Sequence, residues 1–173
     1  MEKNIMSLTM YQASIPSFTR MLGNLSAILV KAATHAEAKK IAPSVFINAR
    51  LAPDMYPLSR QVQIATDLVK GCAARLAGID VPSYSDNETT FDELQARIAK
   101  TVAFLQSVTA AQIDGSEERN ITLKFGPKEF HFLGQPYLLD FVYPNFHFHL
   151  TTAYAILRHN GVDLGKMDYV GSD

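Results

Sequence analysis

The sequence is poor in cysteine, and this limits the environment in which the protein works. Cys72 is the single cysteine among 173 residues, so no disulfide can form within the chain. Chains without disulfides are typical of reducing compartments, and we therefore expect a cytoplasmic protein. Cys72 lies on an apolar helical stripe, which favours a small buried hydrophobe over a reactive thiol.

The sequence also lacks an excess of either charge and any long apolar run. It has 16 Lys and Arg against 17 Asp and Glu, a formal net charge of −1. This balance argues against the basic surface that binds nucleic acid or anionic lipid, so we expect neither partner. No apolar stretch approaches the ~18 residues of a membrane-spanning helix. Residues 1–6 lead into no apolar segment, so we expect no signal peptide.

What the sequence does contain is a helical repeat of apolar side chains. Apolar residues make up 47% of the chain, which is enough for one core without metal or disulfide support, and we expect a single domain over residues 1–173. Four segments carry the 3–4 spacing of an amphipathic helix, at 11–29, 58–76, 91–108 and 142–156. Helices of this length pack at shallow angles, so the pattern predicts an all-α four-helix bundle.

The connecting segments predict smaller elements. Residues 35–57 form a long connection that holds a short helix around 44–49, and residues 79–90 form a polar loop. Between 121 and 133, alternating apolar residues on both sides of Gly126-Pro127 predict a β-hairpin, inserted before the last helix.

No strong catalytic or cofactor motif is present, and one histidine stands out instead. His149 lies on the apolar stripe of the last helix, between Phe146 and Ala153. An imidazole in a core needs hydrogen-bond partners, because an unpaired buried polar group destabilises the fold. Three uses remain open: a metal ligand, a general acid or base, and a structural hydrogen bond.

Three polar residues accompany His149 in the candidate ligand-binding set. Asn145 precedes it by one helical turn on the same face. On the second helix, Gln61 is the best inward-pointing polar residue, whereas Asp67 is expected on the outer, solvated face. His147 lies about 200° around the helix from His149, and we expect it to be partly exposed or at an interface.

The last helix carries a pattern that resembles a known superfamily. Residues 148–163 resemble the C-terminal signature of the DinB/YfiT-like superfamily. More closely, the chain resembles an uncharacterised bacterial family within it, through Pro53-Asp54-Met55 and the segments 61–78 and 144–162.

The resemblance implies a DinB-like four-helix bundle that often forms homodimers. It also implies a metal pocket in members that keep three histidines, one on the second helix and an H-x-x-x-H pair on the last. Here His149 matches the second histidine of that pair, Asn145 stands at the first, and the second helix has none. His149 is thus the one candidate metal ligand, in an incomplete set, and a divalent transition metal is left open as cofactor.

Two functional hypotheses follow. In the first, a pocket around His149 binds a small molecule, with metal-assisted hydrolase or transferase chemistry as one outcome. In the second, the protein is a non-enzymatic structural or binding homodimer with a degenerate metal site. The sequence does not identify a substrate.

Overall fold

The computed structural model describes residues 7–171, and it is mostly helical. Residues 1–6, for which we expected no signal peptide, lie outside the described residues. The helices are α1 (Ile15–Lys39), α2 (Pro43–Ile47), α3 (Leu58–Ala77), α4 (Phe91–Ser107), α5 (Ala110–Ile113), α6 (Gly134–Pro136), a π-helix (Tyr137–Val142), α7 (Tyr143–His159) and α8 (Lys166–Val170). The predicted helical bundle is confirmed, with α1, α3, α4 and α7 as its four long helices.

Local sequence signals explain where these helices begin and end. Thr90 and Glu93 form a capping box at the start of α4, each accepting a hydrogen bond from the other's backbone N–H. At the end of α3, Gly78 adopts a φ of 69°, a left-handed conformation that glycine takes without strain. The predicted short helix between the first two long ones is α2.

Helix α1 differs from its sequence-based bounds. We predicted a stripe over 11–29 and a connection from residue 35, but the helix begins at Ile15 and continues to Lys39. Its buried face is extended by Ala32 and Ala36, which are fully buried. Alanines give a weak apolar signal, so the large side chains alone suggested an early end.

Helix α3 is the central helix of the bundle, and it packs on α7 along one side and on α4 along another. Thirteen of its 20 residues are buried, among them polar ones. Cys72 is fully buried, as predicted, and burial raises the pKa of its thiol far above the ordinary value. The thiol is therefore an inert part of the core.

The β-hairpin precedes the last long helix, as predicted. Strands β1 (Asn120–Phe125) and β2 (Lys128–Leu133) pair antiparallel around a two-residue turn, with Gly126 at a φ of 58°. Ile121 and Leu123 of β1 are buried, whereas most of β2 is exposed. The short helix α6 follows the hairpin directly, and the π-helix then leads into α7 without a loop. We call the π-helix and α7 together the last helical rod.

Helix α8 was not predicted and packs against α1. Asn24 donates to the Tyr169 carbonyl at 2.9 Å, and Lys31 forms an ion pair with Asp168 at 2.6 Å. No helix within residues 7–171 has the length and apolar character needed to cross a membrane.

Candidate functional site

Helix α3 packs along the last helical rod, and we call the line of contact between them the seam. Two hydrogen bonds connect α3 to the rod, one at each end of the seam. Near the start of α3, Gln61 Oε1 lies 2.6 Å from His149 Nδ1. Near its end, Arg75 Nη1 donates to the Tyr137 hydroxyl at 3.0 Å. At about 1.5 Å per residue, Gln61 and Arg75 lie about 21 Å apart along the helix axis. The rod therefore runs antiparallel to α3.

The Gln61–His149 pair fixes which nitrogen of the imidazole carries the hydrogen. Gln61 is 1% exposed, and its Nε2 donates to the Tyr56 carbonyl at 3.0 Å. This bond orients the amide so that Oε1, which can only accept, faces His149. His149 Nδ1 therefore donates to Oε1, and Nε2 keeps its lone pair. Nε2 has no hydrogen-bond partner within residues 7–171.

The His149 ring is neutral near pH 7. Burial lowers the pKa of His149, and the nearby charge of Arg60 lowers it further. The expected position in the centre of the apolar stripe was wrong, because Phe146 and Leu150 occupy the core and His149 is half-buried beside them. His149 faces α3 at the edge of the packed seam.

The structure separates the other two candidate residues from this pair. Asn145 Nδ2 donates to the Phe141 carbonyl of its own helical rod at 2.6 Å. His147 Nδ1 lies 2.9 Å from the Tyr169 hydroxyl of α8, and its ring stacks on Tyr143. Of the four candidates, only Gln61 and His149 come together. His147 is half-buried against α8, and burial lowers its pKa.

The residues here do not fit the three-histidine metal site that the resemblance implied. Within residues 7–171, no three His, Cys, Asp or Glu side chains are grouped so that they could hold a metal ion. The donor set around His149 is one imidazole nitrogen and an amide oxygen that already accepts from the same ring. Amide oxygen is a poor ligand for zinc or nickel, so this donor set does not suit a transition metal.

A groove of about 450 Å³ follows the seam. Gln61 and His149 are not among its lining residues. The groove approaches them through Tyr56, whose carbonyl accepts from Gln61, and through Arg60, whose charge acts on His149. One wall is α3, and the other is formed by β1 and the π-helix. Tyr56 and Arg60 lie at the end next to His149, and Arg75 and Tyr137 lie at the far end. We call it the seam groove, and it is lined by Tyr56, Arg60, Ile64, Asp67, Leu68, Arg75, Leu123, Phe125, Tyr137 and Phe141.

Three charged side chains line the seam groove, and two of them are already paired. Arg60 pairs with Asp86 at 2.5 Å. Asp67 accepts from Lys70 at 2.7 Å and from Arg97 at 2.9 Å. Asp67 was expected to be solvated, but these two cations, both almost fully buried, hold it against the bundle.

Arg97 is the residue that sequence reasoning missed, and it anchors the 79–90 loop. It is 4% exposed and contacts Thr66, Asp67, Ser85, Asp86 and Glu88. The signal was available, because an arginine three residues after Leu94 falls on the buried face of α4. The loop's Tyr84 ring also lies 3.8 Å from Lys70 Nζ and 4.1 Å from Lys100 Nζ. These contacts of Arg97 and of Tyr84 hold the 79–90 loop against α3 and α4, beside the seam groove.

Comparisons with known proteins agree with this architecture. Residues 10–170 match the family model described as Domain of unknown function (DUF1993). The chain is also similar to a DinB family member protein from Shewanella denitrificans, whose crystal structure was determined at 1.83 Å resolution. The two are 40% identical, the match covers 94% of this chain and 92% of that one, and the TM-score is 0.85. A search of curated proteins gives no match.

Proposed function

The chain belongs to the DUF1993 family, with a DinB-like fold, and we propose that it binds a small organic molecule in the seam groove without a metal. The Gln61–His149 hydrogen bond carries this proposal. It holds a half-buried, neutral imidazole whose Nε2 lone pair has no partner within residues 7–171, close to the end of the groove formed by Tyr56 and Arg60. Nε2 is not among the buried polar atoms that lack a partner, so it is open to water or to a ligand.

The lining of the seam groove supports a small-molecule ligand. Its volume of about 450 Å³ lies in the range of known ligand sites, and aromatic and aliphatic side chains form most of its wall. Few polar groups enter it, and they are held by partners at fixed positions. Such a lining binds an apolar body and orients it through a small number of hydrogen bonds.

The chemistry at His149 is that of a hydrogen-bond acceptor or a general base. A neutral Nε2 can accept from a ligand hydroxyl or amide, and it can take a proton from a bound hydroxyl, thiol or water. A hydrolase or transferase reaction would use it in the second way. We propose metal-free binding as the function, and general-base chemistry as its catalytic form.

A second candidate is a non-enzymatic homodimer, which the hairpin favours. Phe125, Phe130 and Leu133 are each more than 40% exposed, and the two phenyl rings lie 5.8 Å apart. Clustered apolar side chains on a surface are typical of interfaces. A chain that sediments as a monomer at every concentration would exclude this candidate. A cytoplasmic location stays a proposal, which rests on the single cysteine and hence on the lack of an internal disulfide.

A metabolite library screened by thermal shift, in buffer with a chelator, tests the first candidate. We expect at least one compound to raise the melting temperature of the wild type and of a control, His159→Leu, whose histidine is exposed at the end of α7. The same compound should leave His149→Leu unchanged. The proposal fails if no compound stabilises the wild type, or if every hit stabilises His149→Leu equally.

A further inference from the structure

Among the described residues, Arg75 differs from the other arginines of the seam because no acidic side chain pairs with its charge. It is half-buried, and no carboxylate within residues 7–171 lies within ion-pair distance of it. Its one hydrogen-bond partner in that part of the chain is the Tyr137 hydroxyl. Arg60 and Arg97, by comparison, each have acidic partners. With Arg60 and Asp67 neutralised by partners, Arg75 leaves the seam groove with one uncompensated positive charge.

A cation in the last turn of a helix can serve simply to satisfy the helix's terminal carbonyls. At the end of α3, other groups do this. The backbone N–H groups of Gly78 and Ile79 donate to the carbonyls of Arg75 and Ala74, and the Arg119 side chain bonds the Leu76 carbonyl. Capping therefore does not explain the Arg75 guanidinium.

The Arg75 side chain is directed back along α3, away from the helix end. A Cβ at Gly71, one turn earlier, would lie 2.4 Å from Arg75 Nη1, so the guanidinium occupies the space that the glycine leaves. Glycine inside a helix destabilises it relative to alanine, so this space comes at the expense of helix stability. Burial raises the pKa of Tyr137 to about 12, and its hydroxyl therefore stays protonated while it accepts from Arg75. Gly71 and Tyr137 together hold the guanidinium in place.

The groove around Arg75 is aromatic. The Tyr137 and Phe141 rings stack at 5.9 Å with an interplanar angle of 16°, and Phe125 lies 6.5 Å from Phe141. Leu68 and Leu123 complete this end of the lining. Tyr137 itself is buried, so exposed Phe125 and half-buried Phe141 offer the ring surface to a ligand. Aromatic surfaces gain most from offset stacking or edge contacts.

We infer that this end of the seam groove is a subsite for a carboxylate carried on a flat apolar body, with Arg75 binding the carboxylate and Tyr137 positioning Arg75. A guanidinium is planar and matches the two oxygens of a carboxylate. A single positive charge also suits a monoanion better than a phosphate dianion. The inference rests on the proposed function, because it names the ligand class of the same groove.

Two probes that differ only in charge test the inference: 2-naphthoate and 2-naphthamide, titrated into the full chain and followed by NMR. We expect the wild type to bind the acid more tightly than the amide, on the order of tenfold. Arg75→Met should bind both equally, and Tyr137→Phe should reduce the preference, while Arg158→Met, an exposed control on α7, should keep it. Thermal melts of each variant show whether it is folded.

Each other outcome contradicts the inference. Equal binding of acid and amide by the wild type, or a preserved preference in folded Arg75→Met, removes Arg75 as the anion site. Inorganic phosphate that displaces the acid at equal concentration would show a general anion site instead. If neither probe binds, the ligand class is wrong. The library screen with His149→Leu judges the proposed function separately, since His149 lies at the other end of the groove.

Discussion

The Gln61–His149 hydrogen bond can be measured by a double-mutant cycle. His149→Leu leaves Gln61 Oε1 without a donor at a side chain that is 1% exposed, and stranding a buried amide destabilises a protein by ~1–3 kcal/mol. Gln61→Leu has a smaller effect, since half-buried His149 can bond water instead. The double variant replaces both partners by apolar groups, which is close to neutral. We therefore expect the two changes together to destabilise less than the sum of the single ones.

Urea unfolding of the four proteins gives the free energies. We expect a coupling of about 1–2 kcal/mol between the two positions, which exceeds the ~0.5 kcal/mol scatter of independent sites. Thr122 and His131 provide a matched control. Their side chains are also within hydrogen-bond distance, at 3.1 Å, but they lie on the exposed hairpin. Thr122→Val with His131→Leu should show no measurable coupling. Additive effects at Gln61 and His149 would refute the hydrogen bond and the tautomer that depends on it.

Three further predictions follow from charges in the fold. Burial lowers the pKa values of His147 and His149 in the folded chain, so the unfolded chain binds more protons below pH 6.5. The free energy of unfolding should therefore fall as the pH is lowered through that value. The loss should be smaller in His149→Leu. Arg97→Met removes a buried guanidinium that donates to Glu88 and Asp67. It should destabilise by ~1.5–3 kcal/mol, the range for hydrogen bonds to charged groups, against less than ~1 kcal/mol for Lys124→Met at an exposed ion pair, both by urea unfolding. Dialysed protein should carry far less than one transition metal per chain by elemental analysis, whereas one zinc or nickel lost in His149→Ala would show that we misjudged the donor set.

The bundle could be predicted from the sequence because its large apolar side chains repeat at helical spacing. This spacing gives α3, α4 and α7 closely, and it fails at the end of α1, where Ala32 and Ala36 continue the buried face with little apolar signal. The π-helix was not predicted either, since its side chains fit an ordinary helical pattern. Phe132 of the hairpin packs against its Tyr137 and Phe141 rings, a contact between elements that helical spacing does not reveal.

The site was predictable only in part. Gln61 was predicted because it faces inward and His149 because its spacing places it on the apolar stripe of the last helix, and the two are hydrogen-bonded. Asn145 shares a helix face with His149, but its amide is closer to a backbone carbonyl of its own turn. Arg75 and Arg97 gave no local signal of their partners, because Tyr137, Asp67 and Glu88 come from other elements.

The position of the hydrogen on His149 tests the central claim most directly. Long-range ¹H–¹⁵N NMR at about pH 7.5 distinguishes the two neutral tautomers by their nitrogen shifts. We expect His149 to be neutral, with Nδ1 protonated and Nε2 unprotonated near the Tyr56–Arg60 end of the seam groove. A ring that carries its hydrogen on Nε2, or one still charged at that pH, would contradict the account, because His149 would then offer neither an acceptor nor a base.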